Sequence, residues 1–102
     1  MIELGGNIEL AGFKDIDGGN MIIIKKIVGN FVKDLNQHNP KFQRLNLTLK
    51  KVHEREDSQV FELQAKLTTD HIYHAEVEDR NLLFAVDKVL KKIESQIIHK
   101  SH

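Results

Sequence analysis

The sequence predicts an α+β fold: a two-layer β-α-β-β-β-α domain, with a four-stranded sheet carrying two helices on one face. Three observations predict it. Two long segments place apolar residues at helical spacings of three and four. Three consecutive shorter segments alternate apolar with polar. A further alternating stretch precedes the first helical one. At 102 residues the chain reads as one domain, 1–102, with a modest core.

Residues 2–13 read as an interrupted strand. Ile2 and Leu4 alternate with Glu3, Ile8 and Leu10 alternate with Glu9, and Gly5-Gly6 between them predicts a bend or bulge. Asp15, Asp17 and Gly18-Gly19-Asn20 form a turn-rich break, with Asn20 as the expected helix cap. A helix follows over 21–37, where Ile24, Ile27, Val28, Phe31 and Leu35 share one face. Strand is the competing reading for its first turn, because Ile22-Ile23-Ile24 is β-prone. Asn39-Pro40 ends the helix, since proline disfavours helical backbone in the residue before it.

Next come three strands. Leu45, Leu47 and Leu49 alternate with Arg44, Asn46, Thr48 and Lys50. After a polar turn from Glu54 to Ser58, Phe61, Leu63, Ala65 and Leu67 alternate with Glu62, Gln64, Lys66 and Thr68. After Thr69-Asp70-His71, Tyr73, Ala75 and Val77 alternate with His74, Glu76 and Glu78. Such alternation implies one covered and one solvated sheet face, joined by hairpins. Asp79 is expected to cap a helix over 80–99 whose core stripe is Leu82, Val86, Val89, Leu90, Ile93 and Ile97. The first β-α-β connection is expected to be a right-handed crossover, which makes its two strands parallel if they are adjacent. Residues 99–102 are expected to fray.

Lys+Arg equals Asp+Glu, 15 against 15, which argues against a histone-like polycation. With no Cys there is no disulfide framework, thiolate metal site or Cys nucleophile. No apolar run reaches the length of a membrane span, and MIELGGNIEL lacks the basic-then-apolar order of a signal peptide, so a cytoplasmic protein is expected. The charges nevertheless segregate. Residues 1–20 carry −3, 21–53 carry +6, 54–79 carry −6 and 80–102 carry +3.

Catalytic signals are thin. Asp17-Gly18-Gly19-Asn20 lacks the spacing and the lysine of a phosphate-binding loop. His71 and His74, three apart on a strand, point to opposite faces. Glu76, Glu78 and Asp79 have no evident partner base, and Ser58, Ser95 and Ser101 lie in no nucleophile motif. No catalytic residue, metal ligand or cofactor is assigned.

Binding signals are stronger. On the second helix Arg80, Phe84, Lys88, Lys91 and Ser95 form one stripe, with Lys92 beside it. An aromatic ring among cations can stack on a base while the cations reach phosphates. Lys25, Lys26 and Lys33 are expected to be exposed on the first helix, and Arg44, Lys50 and Lys51 add charge on the next strand. A small α+β domain with basic helices suits RNA, whose duplex is recognised largely by shape and phosphate geometry.

The stretch from Glu78 to Ile97, EDRNLLFAVDKVLKKIESQI, resembles the ribosome hibernation promoting factors. That family is also called ribosome-associated factor Y and was formerly described as sigma-factor modulation proteins. The family pattern is an acidic pair, an aromatic, a small-apolar-Asp step, then Lys-apolar-Glu-Arg-Gln-apolar. Matching it are Glu78-Asp79, Phe84, Ala85-Val86-Asp87 and Lys92-Ile93-Glu94-Ser95-Gln96-Ile97, with Ser95 where the family often has Arg. The N-terminal half matches in pattern only.

The resemblance implies a fold like a double-stranded-RNA-binding domain with an added first strand. It further implies a translation inhibitor that sits in the mRNA and tRNA channel of the small ribosomal subunit during stress or stationary phase. The implied rRNA contacts are Lys25, Lys26 and Lys33 on the first helix and Arg80, Lys88, Lys91 and Lys92 on the second. It implies no membrane partner and no small-molecule substrate, and the length corresponds to the family's short form or to a fragment. A second reading makes the domain a regulatory protein-interaction module contacting its partner through the solvated sheet face at Thr48, Gln64 or His74. A third, a small hydrolase or metal enzyme, would need a convergent polar pocket.

Overall fold

The structure is a computed structural model and describes residues 2–4, 7–38, 41–55 and 58–100. The chain runs β1 (Ile2–Leu4), β2 (Ile8–Ala11), α1 (Gly18–His38), β3 (Arg44–Arg55), β4 (Ser58–Thr68), β5 (Ile72–Asp79) and α2 (Leu82–Lys100). The sheet order is β1-β2-β3-β4-β5. Both helices cover one face of the sheet, which is the expected two-layer α+β class.

The predicted alternation sets the covered face. In the antiparallel meander Leu45 pairs with Leu67 and Leu67 with Tyr73; Leu47 pairs with Ala65; Leu49 pairs with Leu63 and Leu63 with Val77. All of these are buried. β2 lies parallel to β3, with Ile8 opposite Leu45 and Leu10 opposite Leu47, and α1 spans the crossover between them. The opposite face carries Glu9, Asn46, Thr48, Lys50, Glu62, Gln64, Lys66, His74 and Glu76.

The stretch read as one interrupted strand forms two. β1 and β2 pair antiparallel, Ile2 opposite Leu10, so β1 joins the four-stranded arrangement as a short outer strand. Asn7 takes φ 65° between them, a left-handed conformation that asparagine tolerates. The Gly5-Gly6 bend itself lies outside the described residues, as does the Asn39-Pro40 stop. Gly12 follows β2 with φ 83°, and a Cβ there would lie 2.2 Å from the Leu49 carbonyl oxygen, so only glycine permits this approach. Phe13, 1% exposed, then drops into the core.

The strands β3 and β4 reach further into the expected Glu54–Ser58 turn than alternation suggested, with Arg55 opposite Ser58. A register shift falls between Lys51 and His53. Both helix caps differ from expectation. α1 starts at Gly18, and its cap is Asp17, whose Oδ2 accepts the Asn20 N–H at 3.2 Å while Oδ1 accepts from Asn20 Nδ2 at 2.8 Å. α2 is capped by Asn81, whose Oδ1 accepts the Phe84 N–H at 3.1 Å. Asp79 lies further out, its Oδ1 accepting the Asn81 N–H at 2.8 Å in a local turn. Each true cap sits three residues before the first amide its side chain can reach.

Candidate nucleic-acid interface

The two helices lie side by side on the sheet and start at the same end of the molecule, where Asp17 and Asn20 share a cleft with Asn81 and Leu82. Met21, Ile24, Val28 and Val32 turn α1 toward the core, which leaves Lys25, Lys26 and Lys33 exposed. Among the described residues, none of these three lysines is paired with a carboxylate.

On α2, Leu82, Ala85, Val86, Val89, Leu90 and Ile93 form the buried stripe. Arg80 precedes the helix and is exposed, and Phe84 is 63% exposed rather than folded against the domain. Lys88, Lys91 and Lys92 are also exposed, but each has a local partner. Lys88 Nζ donates to Asp79 Oδ2, which holds the Asp79 carboxyl below the usual aspartate range. Lys91 Nζ lies 3.0 Å from Asp87 Oδ2, one helical turn away. Lys92 Nζ donates to the Glu76 backbone carbonyl at 3.1 Å.

These contacts form a ladder that periodicity alone did not reveal. β5 is an outer strand of the sheet, and alternate residues along it turn backbone carbonyls away from β4. Lys88, Lys92 and Gln96, four apart on α2, reach down to Asp79, to the Glu76 carbonyl and to the His74 carbonyl. An open strand edge invites pairing with another chain, and this row of side chains covers it. The spacing of 88, 92 and 96 was the available signal; what it points at depends on α2 lying over β5.

The described cations of β3, Arg44 and Lys50, do not join the helix layer. Arg44 and Lys50 project from the opposite sheet face, where Arg44 Nη1 lies 3.0 Å from Glu9 Oε1 and Lys50 stands opposite Glu62. The Lys51 side chain lies outside the described residues. On that same face Glu62 and Glu76 share a hydrogen bond. It lowers the pKa of the Glu62 carboxyl and raises that of Glu76. A shallow depression nearby is lined by Asn46, Thr48, Gln64, Lys66, His74 and Glu76.

His71 and His74 do not share a strand. His71 sits in the turn before β5, its Nε2 3.8 Å from Asp70 Oδ2, and His74 lies within the strand. Among the described residues no group of three or more His, Asp or Glu side chains could hold a metal ion. No helix among them is long and apolar enough to cross a membrane.

The fold and this surface define a class: a small two-layer α+β domain that presents two partly basic helices on one side and an open polar sheet face on the other. Its architecture is similar to that of the Thermus thermophilus Protein Y N-terminal domain, with a TM-score of 0.51 and 17% sequence identity over 88% of this chain and 91% of that one. No protein-family model matches the chain, and no curated protein matches its sequence. At that identity the likeness is one of fold.

Proposed function

We propose that the chain is a non-enzymatic, ribosome-associated translation inhibitor of the hibernation type. It binds rRNA of the small subunit in the mRNA and tRNA channel and excludes both by occupying their space. Lys25, Lys26 and Lys33 carry this reading: three exposed ammonium groups with no carboxylate partner among the described residues, on a domain whose architecture is similar to that of the Protein Y N-terminal domain. Such groups bind phosphate by displacing counterions, so affinity falls with salt. Arg80 and the bare ring of Phe84 extend the same helix layer, the ring offering a stacking surface. Lys88, Lys91 and Lys92 contribute less, because each must first leave the partner it holds.

Pelleting with purified ribosomes at low and moderate salt tests the proposal. The expected result is co-sedimentation with 30S subunits that weakens as salt rises and is lost in Lys25→Glu/Lys26→Glu/Lys33→Glu. Absence of binding at low salt, or binding indifferent to that triple change, refutes it. Disruption instead by Thr48, Gln64 or His74 substitutions would favour the sheet-face module.

A further inference from the structure

Between the C-terminal halves of α1 and α2 lies an apolar groove of about 270 Å³. Phe31 and Leu35 form one wall and Ile97 and Ile98 the other. The first three pack partly against the core, whereas Ile98 is 54% exposed. Among the described residues the formally charged rim groups are carboxylates, Asp34 beside Phe31 and Glu94 beside Ile97, with the imidazole of His38 at the end of α1. Among the described residues neither Asp34 nor Glu94 takes part in an ion pair. Lys91, a turn before Glu94, is held by Asp87, and Lys33 does not line the groove. Because the helices start together, their carbonyl ends also lie together here, adding negative potential.

We infer that this groove docks a cationic peptide segment. One large apolar side chain enters between the isoleucines and Phe31, and neighbouring Lys or Arg side chains reach Asp34 and Glu94. Charge complementarity selects this occupant, since an acidic peptide or a nucleic-acid strand would meet carboxylates and helix carbonyl ends of its own sign. The site is separate from the lysines of the proposed rRNA surface, so either can fail without the other.

Fluorescence polarisation of the full chain with a fluorescein-labelled lysine–leucine peptide, and with its glutamate–leucine counterpart, tests the inference. Only the lysine peptide is expected to bind. Asp34→Lys/Glu94→Lys is expected to weaken it about tenfold. Ile98→Ser, at an already exposed position, is expected to cost about tenfold through lost apolar burial. Circular dichroism verifies that both variants fold, and Lys25→Glu/Lys26→Glu/Lys33→Glu is expected to retain binding. Equal binding of both peptides, no binding of either, or native affinity in Ile98→Ser overturns the inference. So does a concentration-dependent dimer in sedimentation equilibrium that Ile98→Ser abolishes, because the groove would then belong to a second copy of the chain.

Discussion

The ammonium of Lys92 on α2 donates to the main-chain carbonyl of Glu76, 3.1 Å away on the outer strand β5. A residue that reads from sequence as a nucleic-acid contact thus also closes a sheet edge. Replacing the row in Lys92→Met/Gln96→Leu removes two donors from carbonyls at the surface. The expected cost is about 1 kcal/mol in urea unfolding. The same variant is expected to self-associate in sedimentation velocity, since the edge is left open.

Cations with and without a carboxylate partner among the described residues should differ in their contribution to the proposed RNA binding. Lys26→Gln and Lys33→Gln are each expected to lower the slope of log affinity against log salt by about one. Lys91→Gln is expected to change it less, because Asp87 already compensates that charge. Salt titration of ribosome binding by the single variants checks the order.

Acid stability follows from two aspartates. Lys41 beside Asp70 and Lys88 beside Asp79 hold both carboxyls below their ordinary value of 3.8. Groups lowered in the folded state stabilise above the unfolded value, and that contribution disappears as pH falls through the folded one. Unfolding free energy should therefore drop below pH 3.8, and Asp79→Asn should make the drop shallower. Glu76 has the opposite sign. Raised above 4.5 by its hydrogen bond with Glu62, it stabilises below 4.5, and the effect is lost as pH rises through its folded value. Glu76→Gln, which keeps a donor toward Glu62, is expected to raise Tm at neutral pH and leave it unchanged near pH 4.

Gly12→Ala places a methyl group against the Leu49 carbonyl at a positive φ. The expected loss is about 2 kcal/mol or more, from the left-handed backbone and from displacing β3. Gly29→Ala, in open space within α1, is expected to stabilise by about 0.5–1 kcal/mol. Chemical denaturation of the two variants side by side separates contact from composition.

Periodicity made the main elements legible. Alternation at Leu45–Leu49, Leu63–Leu67 and Tyr73–Val77 named the covered face, and the spacing of Val86, Val89 and Ile93 named the buried stripe of α2. The caps were misassigned because short polar residues cluster before each helix. Which one caps depends on the amide its oxygen meets: Asp79 is taken by Asn81 and Lys88, which leaves Asn81 to bind Phe84. The β1 strand is too short to show that it folds back. Exposure of the basic residues was legible from helical phase, but their pairing was not. Arg44 meets Glu9, and Lys88 meets Asp79, only once strands and helices are assembled.

The β2–α1–β3 crossover bears on how the chain reaches its native state. The meander and α2 are built from contacts between segments that follow one another, so they can assemble as an early nucleus. Joining Ile8 to Leu45 requires the intervening α1 segment to be closed into a loop first, at an entropic cost that no neighbouring hairpin offsets. The N-terminal strands and α1 are therefore expected to dock last. The lysines of α1 take their place beside α2 only at that final step, so a chain arrested before it would have its meander, its second helix and Phe84 but not the α1 lysines on which the proposed ribosome binding chiefly rests.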